Sequence, residues 1–222
     1  MLEIACFNAS SAIAAAKAGA DRIELCADYA AGGVTPPLSG LKDVRKAIDK
    51  PVNVMIRPRA GDFNYSDPEF ALMKKEIGDY KEEASGFVFG ILDSKGCVDD
   101  ARNQELVQLA APLPCTFHRA LDQVPDLDEA MEQLLKCGFK SVLTSGGEAN
   151  ALAGAERVAQ LEKKYRGKIS IILGGGVRST NIEALKKKTQ GTWYHSAAIT
   201  EAGETVDVEE VTALQKHLTK EL

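Results

Sequence analysis

An eightfold (β/α) barrel is predicted by three observations. Eight short apolar runs carry the β-branched and aromatic content of strands, and eight segments of helical period lie between them. Successive strands also begin about 20 to 35 residues apart, a regular spacing that suits right-handed strand-helix-strand units better than two unrelated domains. Together they predict a single TIM-barrel domain over residues 1–222. A doubly wound open sheet is the other arrangement of the same units.

The first strand is Leu2 to Cys6, and its helix runs from Ser10 to Gly19, between a residue type that opens helices and one that closes them. Arg22 to Cys26 forms the second strand and Leu38 to Ile48 its helix. Val52 to Arg57 follows, then a helix from Asp67 to Ala84 opened by Asp67-Pro68. Phe87 to Gly90 precedes a helix at Asp99 to Ala111. Cys115 to His118 precedes Asp126 to Cys137, closed by Gly138. Ser141 to Thr144 precedes Ala149 to Arg166, closed by Gly167. Ile169 to Leu173 and Thr180 to Lys188 form the seventh unit, and Thr192 to His195 with Val208 to Leu218 the eighth. Polar residues from Lys186 to Thr192 crowd the approach to that last strand.

The chain is 45% hydrophobic, which suffices for a sizeable core. Lys plus Arg total 27 against 32 Asp plus Glu, for a net charge of -5. That balance argues against nucleic acid or an anionic membrane surface as partner and leaves small molecules or ions. Met1 leads directly into a strand without a basic segment, and no run is long enough to span a bilayer, so a cytoplasmic protein is expected. Five cysteines, an odd number without paired spacing, fit a reducing compartment.

Active sites of such barrels lie at the carboxyl ends of the strands. Alternation sets Glu3 and Ala5 on one face of strand one, and Arg22, Glu24 and Cys26 on one face of strand two. Met55, Arg57 and Arg59 belong together by the same count, as do Thr116 and His118. Glu3, Glu24, Arg22 and Arg57 could neutralise one another inside the barrel, and a structural ion network is the alternative role for Glu3 and Arg22. The third strand runs into Arg57-Pro58-Arg59-Ala60-Gly61-Asp62, which places cations at its end. Strand five ends in His118-Arg119-Ala120-Leu121-Asp122, where a histidine can exchange a proton or ligate a metal and Asp122 could hold its tautomer. Candidate catalytic residues are therefore Glu24, Arg57, His118 and Asp122. His195 ends strand eight, with aromatic packing beside Trp193 and Tyr194 an equal explanation. Two glycine clusters, Gly146-Gly147 and Gly174-Gly175-Gly176, together with Arg59, are candidate anion-binding elements, or tight turns only.

No Cys-x-x-Cys and no His-Glu-x-x-His occurs, so zinc has no local signature. Cu(I) prefers soft thiolate and thioether ligands, and Cys6, Cys26 and Met55 lie on three neighbouring strands. Alternation points Cys6 and Cys115 outward, while Cys137 closes a helix and Cys97 lies in a loop. Cys26 is the candidate metal ligand.

The motifs Gly19-Ala20-Asp21-Arg22-Ile23-Glu24-Leu25-Cys26, Gly32-Gly33-Val34-Thr35-Pro36, Met55 to Asp67, Val88-Phe89-Gly90, Thr116 to Asp122, Val142 to Gly147 and Gly174 to Val177 resemble the copper homeostasis protein CutC family over nearly the whole chain. The resemblance implies a (β/α)8 barrel, a cytoplasmic and often oligomeric protein, a dimer or tetramer, and Cu(I) as ligand. It carries the family's polar cluster onto Glu3, Arg22, Glu24, Cys26, Arg57, Arg59, Asp62, His118, Arg119 and Asp122. Ala5 stands where family members often carry cysteine, Ala60 where glycine is usual and Leu173 where proline is common, and Ser196-Ala197 alters the usual order after His195. Two readings stay open. One is a copper-handling protein with Cys26 as principal thiolate, helped by Met55, His118 or Cys6. The other is an enzyme performing acid/base chemistry on a small phosphorylated or carboxylated metabolite.

Overall fold

The computed structural model describes residues 1–220. Eight parallel strands close into one barrel in chain order, with the last returning to pair with the first, which sets the open sheet aside. The strands are β1 (Leu2–Cys6), β2 (Arg22–Leu25), β3 (Val52–Met55), β4 (Gly86–Phe89), β5 (Cys115–Phe117), β6 (Ser141–Thr144), β7 (Ser170–Leu173) and β8 (Trp193–Ser196). The helices are α1 (Ala9–Lys17), α2 (Leu38–Ala47), α3 (Asp67–Tyr80), α4 (Asp100–Ala110), α5 (Leu127–Cys137), α6 (Ala155–Tyr165), α7 (Ile182–Thr189) and α8 (Val208–Thr219).

Period-two alternation divides the apolar residues into two layers. Ile4, Cys6, Ile23, Leu25, Val54 and Phe87 face outward and merge with Leu41, Ile77, Leu106, Leu134 and Leu161 of the helices into one continuous core. Each such side chain contributes roughly 1.5–3 kcal/mol when fully buried. Inside the barrel a separate small cluster, Ala5, Phe7, Cys26, Met55, Val88 and Ile199, packs near the carboxyl ends. That inner face also carries the buried polar residues Glu3, Glu24, Asn53, Thr116 and His118.

Helix boundaries follow their caps. Asn8, not Ser10, accepts the Ser11 N–H and opens α1. At α3, Ser66 and Glu69 form a reciprocal capping box, and the helix ends at Tyr80, four residues before Ala84. Helix α6 starts six residues later than the periodicity from Ala149 predicts, at Ala155. The cause is Gly154, which presses so close to β6 that a Cβ there would lie 1.7 Å from the Ser145 carbonyl oxygen. Arg119–Gln123 forms an unforeseen 3-10 helix whose first N–H groups His118 caps, Nδ1 accepting from Ala120. None of the described helices is long and apolar enough to cross a membrane.

Candidate functional site

At the carboxyl ends of the strands a cavity of about 350 Å³ is lined by Glu24, Cys26, Met55, Arg57, His118 and His195, among others. They come from the ends of β2, β3, β5 and β8 or from the turns beyond them, as the fold requires of a site at this face.

An acid network crosses the barrel. Arg22 Nε donates to Glu3 Oε2 at 2.5 Å, while the guanidinium lies 3.9 Å over the Trp193 ring. The other Glu3 oxygen meets His195 Nδ1 at 2.8 Å, and His195 Nε2 lies 3.9 Å from Glu24 Oε2. Cys26 Sγ donates to the same Glu24 oxygen at 3.6 Å. Glu3 is therefore the structural end of the network. Burial would raise its pKa, but the bond to His195 and the charge of Arg22 outweigh this and hold it below the usual range. Glu24 lacks such support and is pushed up to about 7, chiefly by burial, with the Glu3 charge adding and His195 opposing. Burial also disfavours charge on His195, yet the two carboxylates prevail and raise its pKa. Burial and the Glu24 carboxylate keep the Cys26 thiol well above its ordinary value.

Because the folded chain binds a proton at Glu24 more tightly than the unfolded chain does, the residue's contribution to stability declines as pH rises from about 4.5 to about 7. Glu24→Gln mimics the protonated form. It is expected to raise the melting temperature at pH 8, by roughly 2 kcal/mol of unfolding free energy, and to change it little at pH 5. Calorimetry at the two pH values checks this, and equal effects at both would refute the assignment of the buried charge.

Two expected residues stand as the alternation places them. Cys26 and Met55 share the inner cluster and the cavity wall. Cys6 belongs to the outer core and does not line the cavity. His118 also faces the cavity, but Asp122 does not hold its tautomer, contrary to expectation. His118 Nδ1 accepts from the Ala120 N–H at 3.3 Å, so the proton of the neutral ring belongs to Nε2, which is buried without a partner. Burial and the nearby Arg57 charge push its pKa down to about 3, which favours the neutral ring. The ring fits only because residue 90 is glycine, whose Cβ would sit 2.7 Å from it.

Asp122 instead ties β5 to β6: it accepts from Thr144 Oγ1, from the Ser145 and Gly147 N–H groups and from Arg119. The first glycine cluster therefore binds an anion that the chain itself supplies. Gly146 N–H goes to Thr144 Oγ1 and Gly174 N–H to the Thr144 carbonyl, so neither is free for a ligand. Arg59 is likewise corrected: β3 ends at Met55, alternation ends with it, and Arg59 turns out to Glu69 at 2.5 Å and Asp62 at 3.0 Å, away from the cavity. Arg57 does reach the cavity, where its N–H groups bond the carbonyls of Ala31, Gly33 and Gly61 and clamp two loops. Arg178, which sequence reasoning passed over, joins it there from the turn after β7. Its position two residues beyond the triple glycine was the available signal.

The fold and site define a parallel barrel with a small, polar, thiol-bearing mouth. The chain belongs to the CutC family, whose model matches residues 1–200. It is 41% identical over 199 residues to the copper homeostasis protein cutC homolog of Homo sapiens, covering 89% of this chain and 73% of that one. It is 45% identical over 183 residues to a family protein CutC of Proteus mirabilis, covering 82% and 73%. The crystal structure of a CutC protein from Streptococcus agalactiae superimposes with a TM-score of 0.84 at 30% identity, covering 89% of this chain and 98% of that one.

Proposed function

We propose that this chain serves copper homeostasis in the cytoplasm by binding Cu(I) as cargo at the barrel mouth, with Cys26 as principal ligand. The observation that carries the reading is the shared wall of Cys26 and Met55, with the Glu24 carboxylate 3.6 Å from the thiol. Thiolate and thioether are the donors Cu(I) prefers, and imidazole is a competent third. A thiol held protonated must lose its proton when a metal binds, and Glu24 is placed to accept it. Once His195 is neutral its Nδ1–H donates to Glu3, which turns Nε2 toward the cavity, the carboxylate-histidine arrangement that orients metal-binding imidazoles. All five cysteines are free, as a reducing cytoplasm would keep them.

Cys26→Ser is expected to abolish stoichiometric Cu(I) uptake in competition with a colorimetric chelator under reducing conditions. Unchanged affinity would remove Cys26 from the site and the reading with it.

A further inference from the structure

We propose that the β5–β7 side of the cavity is a binding site for a small phosphate monoester, seated on Arg119 and the Gly175 and Gly176 N–H groups, with His118 Nε2 donating to an oxygen of the ligand's body. Charge is the first argument. Arg57, Arg119 and Arg178 line the cavity against a single carboxylate, Glu24, in a chain whose net charge is -5. Arg119 is paired with Asp122 at 2.8 Å. The other two have no carboxylate partner among the described residues. Arg57, only 6% exposed, is held by three backbone carbonyls, and its buried Nε has no acceptor. Arg178 is held by the Val177 and Ile199 carbonyls and the Ser196 hydroxyl. Neutral oxygens satisfy hydrogen bonds but leave two positive charges in a confined space, which is costly until an anion enters. While Glu24 is protonated, these two guanidiniums add their field to that of Arg119 in favour of an anion in the cavity.

Geometry is the second argument. The Gly175 and Gly176 N–H groups have no acceptor among the described residues, while their carbonyls are fixed by Ala151 N–H and Asn181 Nδ2. The Arg119 guanidinium lies directly against Gly175, which puts its charge beside those donors. Barrels of this kind bind phosphate at the turns after their seventh and eighth strands. In the same cavity, His118 Nε2 is an unpartnered donor in a residue 4% exposed. A cavity of about 350 Å³ admits only a short ligand body.

The test uses metal-free protein in chelator at constant ionic strength, so that it stands or falls apart from copper binding. Inorganic phosphate and glycerol 3-phosphate are titrated with the melting temperature as readout, against sodium chloride and acetate. Both phosphates are expected to raise it saturably, glycerol 3-phosphate at lower concentration. Arg119→Met should weaken glycerol 3-phosphate by about tenfold or more, the loss expected for one hydrogen bond to a charged group, and His118→Phe, which removes the donor, by a few-fold, roughly the loss of one neutral hydrogen bond. Only Arg119→Met should weaken inorganic phosphate. Arg166→Ala, at the opposite end of the barrel, should change neither. Stabilisation no greater than that by chloride, equal stabilisation by acetate, or equal loss in Arg166→Ala would each overturn the proposal, and the wild-type titrations decide even where a variant fails to fold.

Discussion

Ala5→Cys is expected to tighten Cu(I) binding by about a hundredfold, the lower end of the gain when a second binding group acts on a ligand already held. Ala5 is buried, lines the cavity and packs in one cluster with Cys26 and Met55. Its register partner on β2 is Glu24, so its Cβ vector enters the same inner face. A thiol there would give Cu(I) two thiolates from adjacent strands, where the wild-type chain offers one thiolate and a thioether. Chelator competition under reducing conditions measures the effect. An unchanged dissociation constant would mean that copper does not sit between β1 and β2. The opposite substitution, Cys26→Ser, isolates the same wall by subtraction.

Asp122→Ala should lower the unfolding free energy by about 3 kcal/mol, the scale for breaking a buried charged hydrogen-bond hub. Its carboxylate is 8% exposed and accepts from two backbone N–H groups, two hydroxyls and Arg119. Removing it strands the Ser145 N–H and the Thr144 hydroxyl in the interior and frees Arg119 from its partner. A chain of this size should melt roughly 6–12 °C lower. Asp122→Asn keeps the shape and should cost less, since one amide oxygen still accepts. A melting temperature unchanged in Asp122→Ala would show that the turn after β6 closes without it.

The barrel and its inward-facing acids were legible because parallel strands repeat one rule: Glu3, Arg22, Glu24 and Cys26 follow from counting by two. Counting fails where a strand stops. Arg59 lies beyond the end of β3, and its direction is set by Glu69 on the next helix. The donors of Gly146 and Gly147 were misread for a different reason, since what occupies them, directly or through Thr144, is Asp122, more than twenty residues upstream. His195 was undervalued because Trp193 and Tyr194 explain its neighbourhood locally. Its partnership with Glu3 comes from barrel closure, which sets residue 3 opposite residue 195. Arg178 needed the same kind of information, because its acceptors lie on the loop beyond β8.

That closure also fixes when the cavity wall can be complete. The Glu3–His195 pair joins residues 192 apart across the seam between the first and last staves. A chain still emerging from the ribosome contains Cys26 and Met55 long before His195 exists, and so lacks the ring that completes the pocket wall. Were Cu(I) the cargo proposed above, a half-made chain could offer it no complete pocket.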